Sequence, residues 1–312
     1  MLNKMTKFTF LIFVCVLLFA CASKDNNGEN PAIAHIKKAI SFEDKDNYDK
    51  AIEYAEKALK LIKEKDTEKE ILGGCYNLLG RVYQKKTEYN KAIEYYNMAL
   101  KVLLECWEDL HIKTKKAVSQ IYYELGVIND QKNELDQAIK YFQKALQTDL
   151  ELEKSDYRSD ISMYSYDYII SSSYSRLGLV YQKQGNYEKA IENLNKALER
   201  SLSRFSNEKK FEEICRAIGL SNGGYKVDKE LIQFVVDDEE PVDCLNIVIA
   251  DNINLGTTYK SMYEKYKKNK FFDDSLRYYQ NALRASLSLF GSNNNLTKEI
   301  KNSLSLLKKI SP

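Results

Sequence analysis

Two histidines and six cysteines are the side chains of this 312-residue sequence best suited to nucleophilic or metal chemistry. His35 and His111 stand far apart, and neither has an acid and a nucleophile arranged around it. Cys75, Cys106, Cys215 and Cys244 form no C-x-x-C pair and have no histidine at metal-ligand spacing. Cys75 falls on a core-facing helix position, where a thiol behaves as a small apolar group. Cys215 and Cys244 flank an irregular stretch and can pair in an oxidising compartment. No glycine-rich phosphate loop is present, because most glycines sit in Leu-Gly pairs or in turns. The sequence therefore predicts no catalytic residue, no metal site and no cofactor, and the chain is not expected to be an enzyme.

The remaining two cysteines belong to a different chemistry. The chain opens with Lys4 and Lys7, then an apolar run from Phe8 to Ala20 broken only by Thr9. Such a run is too short to span a bilayer, which takes roughly 20 residues. A positive start, a short apolar stretch and a small final residue describe an export signal over residues 1–20. Leu18-Phe19-Ala20-Cys21 resembles the bacterial lipobox, although Phe19 is bulkier than the usual residue there. That resemblance implies diacylglyceryl attachment to the Cys21 thiol, loss of Cys15 with the signal, and a polar tether over residues 21–31. A soluble body held to a bacterial membrane by lipid, periplasmic or surface-exposed, is the expectation.

Lys4 and Lys7 also account for the formal charge of +2, from 47 basic and 45 acidic residues. The rest is balanced, so a nucleic-acid partner is not expected, since non-specific binding needs a basic face. Only three prolines occur, Pro31, Pro241 and Pro312, and none can break a helix between Ala32 and Glu240.

The elements that position these residues are written in a repeat. Gly185–Leu198 reads GNYEKAIENLNKAL, with close copies at Asp46–Leu59, Thr87–Leu100 and Asn133–Leu146. Upstream of three of them lies a second pattern: YNLLGRVYQKK (Tyr76–Lys86), YYELGVINDQK (Tyr122–Lys132) and YSRLGLVYQKQ (Tyr174–Gln184). Apolar residues recur at three- and four-residue spacing in each half, which predicts two amphipathic helices joined by a short polar turn.

These positions resemble the tetratricopeptide repeat, a 34-residue helix hairpin. The match runs over residues 73–106, 119–152 and 171–204. Residues 32–65 keep only the second-helix signature, Ala51 and Ala58. A fifth copy over residues 246–290 is split, with Asn254–Tyr259 and Phe271–Leu283 separated by about seven extra residues. Residues 205–245 are expected to form a degenerate hairpin or an inserted lobe. Residues 292–311 are expected to form a capping helix with Leu296, Ile300, Leu304, Leu307 and Ile310 on one face. The place where the family often has a helix-ending proline holds Lys63, Leu104, Leu150 and Leu202. The alanines Ala51, Ala92, Ala138 and Ala190 are 41, 46 and 52 residues apart. The second helices are therefore expected to run on and lengthen the hairpins. The predicted fold is all-α: a right-handed solenoid of antiparallel, elongated hairpins closed by a C-terminal helix.

The resemblance implies a groove lined by first helices that binds a partner's peptide or helix. By family position the lining is Asn77, Arg81, Gln84 and Lys85, then Gln120, Tyr123, Val127 and Asp130, then Ser175, Leu179, Gln182 and Lys183. Relatives that grip a terminal carboxylate place Lys, Asn and Arg at fixed groove positions. Here Asn77, Arg81, Glu124, Ser172 and Arg176 stand there, and Glu124 would repel a carboxylate. The function implied is a membrane-anchored adaptor or scaffold that binds a protein or peptide in the cell envelope. A self-associating structural component and a sensor of a small molecule or peptide are the alternatives.

Overall fold

The computed structural model describes residues 30–63, 69–154, 164–203 and 239–311. The export signal, Cys21, Cys215, and nearly all of the tether and of the 205–245 region lie outside them. Among the described residues all regular structure is helical, and no helix is long and apolar enough to cross a membrane.

Residues 1–157 and 158–312 form two compact units. The first holds α1 (Pro31–Glu43), α2 (Tyr48–Lys63), α3 (Lys69–Lys85), α4 (Tyr89–Leu104), α5 (Ile112–Gln131) and α6 (Leu135–Lys154). Helices pair as hairpins α1/α2, α3/α4 and α5/α6, and successive hairpins stack through α2 on α3 and α4 on α5. The first helices α1, α3 and α5 lie side by side. The second unit holds α7 (Tyr164–Lys183), α8 (Tyr187–Ser203), α9 (Glu239–Tyr266), α10 (Asn269–Phe290) and α11 (Asn295–Lys309). Here α7/α8 and α9/α10 are hairpins, α8 packs on α9, and α11 covers α10.

The first four hairpin turns are cut to one pattern. Asp46, Thr87, Asn133 and Gly185 have φ of 56°, 62°, 61° and 75°. Each donates its N–H three residues back, and the next residue donates five back, as in Asn47 to Phe42 (2.9 Å) and Asn186 to Tyr181 (2.9 Å). This left-handed cap satisfies the last carbonyls of the first helix and reverses the chain in a few residues. Glycine adopts it freely and Asp or Asn tolerably, whereas Thr87 holds it against β-branched strain.

Packing depends on small residues facing large ones. A Cβ added to Gly80 would fall 2.7 Å from the Tyr96 ring, and Gly126 and Gly178 stand in the same relation to Phe142 and Leu194. Tyr96, Phe142 and Leu194 are fully buried as a result. The first repeat forms its first helix without the Leu-Gly signature. Ala39 takes the glycine's place and Ala55 the place of Tyr96, Phe142 and Leu194, and both alanines are fully buried. Asn30 starts that helix by accepting the Ala32 N–H at 3.0 Å, with Pro31 at the first position.

The hairpins are elongated, and of the second helices of the first unit α6 runs on past its missing proline whereas α4 does not. Helix α4 ends at Leu104, followed by a short 3-10 turn at Trp107–Asp109. Leu104 is already 45% exposed, so another turn would have nothing to cover, while Leu110 turns back into the core. The added length falls on first helices, because α5 and α7 begin at Ile112 and Tyr164, ahead of repeat starts at 119 and 171. Among the second helices of the first unit, α6 does run past Leu150, to Lys154.

In the fifth repeat the extra residues lengthen both helices toward their turn, so α9 reaches Tyr266 and α10 begins at Asn269. The added turns carry an aromatic pair of their own, Tyr263 edge-on to Phe272 at 5.4 Å. Asn294 caps α11 by accepting the Leu296 N–H, and Ile300, Leu304 and Leu307 are buried beneath it.

Candidate functional site

The first-helix row of the first unit begins with a charge that cannot reach water. Glu43, the last residue of α1, is 3% exposed. Its carboxylate pairs with the Arg81 guanidinium and, at 2.8 Å, with the Lys85 ammonium, both on α3. Burial is the strongest single influence on Glu43 and opposes ionisation. The attraction and hydrogen bonds of Arg81 and Lys85 together outweigh it and hold the carboxyl below its usual value.

Next along the row, one hydrogen-bond chain fixes three polar side chains. The buried Tyr96 hydroxyl donates to Gln84 Oε1 at 2.6 Å. The Gln84 amide nitrogen then has to face α5, where it donates to Glu124 Oε2 at 2.7 Å. Gln120 donates to the other Glu124 oxygen, also at 2.7 Å. Burial, then the nearby Glu124 carboxylate, push the Tyr96 phenol well above its ordinary pKa, so it serves as a donor throughout. Tyr123 packs edge-on against Phe142 at 5.5 Å and stays partly exposed. Val127 and Asp130 are half-buried and Gln120 is exposed, while Asn77 is buried.

The groove residues from the fourth repeat belong to the second unit. Leu179 and Gln182 are half-buried and Lys183 is exposed. Ser175 instead faces a polar centre on α9. It donates to Asp251 Oδ1 at 2.9 Å and accepts from Asn254 at 3.2 Å. Ser201 on α8 reaches Asp251 Oδ2 at 3.0 Å and Ser171 at 2.7 Å. Burial pushes the Asp251 carboxyl up to about 7, against the opposing effect of the Ser175 and Ser201 hydroxyls. Arg200 lies in the same unit but pairs with Asp167 at 2.9 Å.

Sequence reasoning did not single out Glu43 or Asp251. The only signal for Glu43 was positional: it ends one first helix at the level where the next presents Arg81 and Lys85. His35 lies against Tyr54 at 5.8 Å, and His111 lends its carbonyl to the start of α5. The buried Cys75 thiol donates to the Ala55 carbonyl at 3.2 Å. Among the described residues no group of acidic, histidine and cysteine side chains could hold a metal ion.

Family models described as tetratricopeptide repeat match residues 31–105, 119–151 and 171–201. The chain is a tetratricopeptide repeat protein. The matched spans fall on the hairpins α1–α4, α5/α6 and α7/α8, and the all-α repeat architecture anticipated from the sequence is the one observed. No curated protein matches the chain. Among solved structures it resembles BtubC (BKLC) from P. vanneervenii, at 22% identity over 77% of this chain and 76% of that one, with a TM-score of 0.48. It resembles aspartyl phosphate phosphatase F from Bacillus subtilis at 16% identity over 86% of this chain and 62% of that one, TM-score 0.47. The apo form of RapI is similar at 15% identity over 90% and 96%, TM-score 0.47. Each likeness is one of fold and says nothing of what this tetratricopeptide repeat protein binds.

Proposed function

We propose that this tetratricopeptide repeat protein is a lipid-anchored adaptor of the bacterial cell envelope that holds a peptide or helix of a partner protein on its first-helix face. The coarser part, a protein-interaction module, follows from the repeats themselves. The observation that carries the finer reading is the face of α3 and α5, where Gln84, Gln120, Glu124 and Tyr123 are held in place and reach the surface. Fixed polar groups beside an aromatic edge suit recognition of an extended backbone or a helix, because their ordering is complete before binding. The anchor rests on Leu18-Phe19-Ala20-Cys21 and the polar stretch after it.

In-cell crosslinking and capture tests the adaptor. A partner should be retained by the natural protein and lost from a variant carrying Gln120→Ala, Tyr123→Ala and Glu124→Ala whose circular dichroism is unchanged. Capture of nothing but further copies of the chain would replace the adaptor with a self-associating scaffold. For the anchor, mass spectrometry should find the lipid on Cys21, and Cys21→Ser should move the protein out of the membrane fraction.

A further inference from the structure

The sequence places two cations, Arg81 and Lys85, on the first-helix face of the second repeat, which would suit an acidic ligand. The structure directs both onto the buried Glu43 carboxylate, whose single charge offsets one of the two. What remains open on the same row is an anion. Glu124 is only partly buried, and its two oxygens each accept one amide hydrogen, from Gln84 and from Gln120. Among the described residues no cation pairs with it. An ionised carboxylate oxygen has lone pairs to spare after one hydrogen bond, so Glu124 keeps acceptor capacity toward the solvent side.

The Tyr96 hydroxyl occupies the Gln84 oxygen and so keeps the amide nitrogen on Glu124. The site is thus a negative charge with oriented neighbours, beside the Tyr123 ring. We propose that this face selects a cationic segment: a partner peptide or helix whose lysine or arginine side chain docks on Glu124, with its stem against Tyr123. The argument is charge complementarity. A cationic head gains a direct partner and leaves no donor in the site unsatisfied, whereas an acidic head would meet the Glu124 carboxylate while Arg81 and Lys85 stay directed at Glu43. The inference rests on the adaptor reading and adds the sign of the partner's charge.

The test uses the full chain in non-ionic detergent and three fluorescent peptides alike except for lysine, glutamine or glutamate at the same positions. Binding is followed by anisotropy at low and at physiological ionic strength. The lysine peptide should bind about tenfold more tightly than the glutamate peptide, with the preference reduced by added salt. The chain after residues 1–20 is balanced in charge, so net charge favours none of the three peptides and the expected order is not a non-specific one. Glu124→Gln should reduce the preference and Glu124→Lys should reverse it, at unchanged circular dichroism. Equal binding of the three peptides, failure of all to bind, a glutamate preference, or a lysine preference that survives Glu124→Lys would each overturn the proposal. If a partner is nonetheless captured in cells and lost from the first-helix variant, the charge inference alone fails. If it is not, the adaptor fails with it.

Discussion

Glu43 in the first unit and Asp251 in the second are both carboxylates sunk in helix packing, and they solve that problem in opposite ways. Glu43 has two cations against it and stays ionised. Asp251 has hydroxyl donors from Ser175 and Ser201, and burial pushes it up to about 7. The difference teaches that the fold accepts a buried acid, but its partners decide the direction of the pH response. A depressed carboxyl stabilises the fold above its ordinary value near 4.5, and that contribution is lost as pH falls through the lower folded value. A raised carboxyl does the reverse. Its stabilisation is fully present below 3.8 and fades as pH rises toward about 7, because the unfolded chain gives up the proton first.

The sharpest way to break the contrast is to make Glu43 resemble Asp251. Arg81→Met leaves the carboxyl buried with Lys85 alone and should cost about 3 kcal/mol in chemical denaturation at neutral pH. The variant's stability should also fall, rather than hold, as pH rises from 5 to 7. Next in size, Asp251→Asn should raise stability by about 2 kcal/mol at pH 8 and change little at pH 4, since it removes only the ionised form's penalty. Ser175→Ala takes one donor from Asp251 and should cost about 1 kcal/mol at pH 8, with the Asp251 titration moved further upward when followed by NMR. The turns repeat the comparison on a smaller scale. Thr87→Gly should gain about 1 kcal/mol and Gly185→Thr should lose a similar amount in thermal melts, because only glycine occupies that backbone region without strain.

Much of this was legible in the sequence for a definable reason. The hairpins announce themselves because period and small-residue positions are both local, so Gly80 and Ala92 can be read without knowing their neighbours. The first helix of the first repeat lacks that signature, and the buried Ala39 fills the place that glycine marks in the later repeats. The end of α4 was misread because no residue there forbids a helix; it stops when Leu104 runs out of surface to cover. The candidate face was legible as a set of positions but not as a charge. Whether Arg81 greets a ligand or an internal acid depends on Glu43, one repeat earlier, and that pairing is set by the stacking of α1 on α3.

The α9/α10 hairpin extends this to how such a chain can change length. Its tip projects about one helical turn farther on both helices, and a turn out and a turn back use close to seven residues. An insertion of that size returns every side chain beyond it to its original compass bearing, so Ser275 and Tyr279 still meet Gly256 and Thr257. Gains or losses of three or four residues shared between the two helices would instead leave each about half a turn out, with its apolar stripe facing outward. Hairpin tips of this kind can grow or shrink only in coarse steps, so length differences among chains built this way should cluster near multiples of that step.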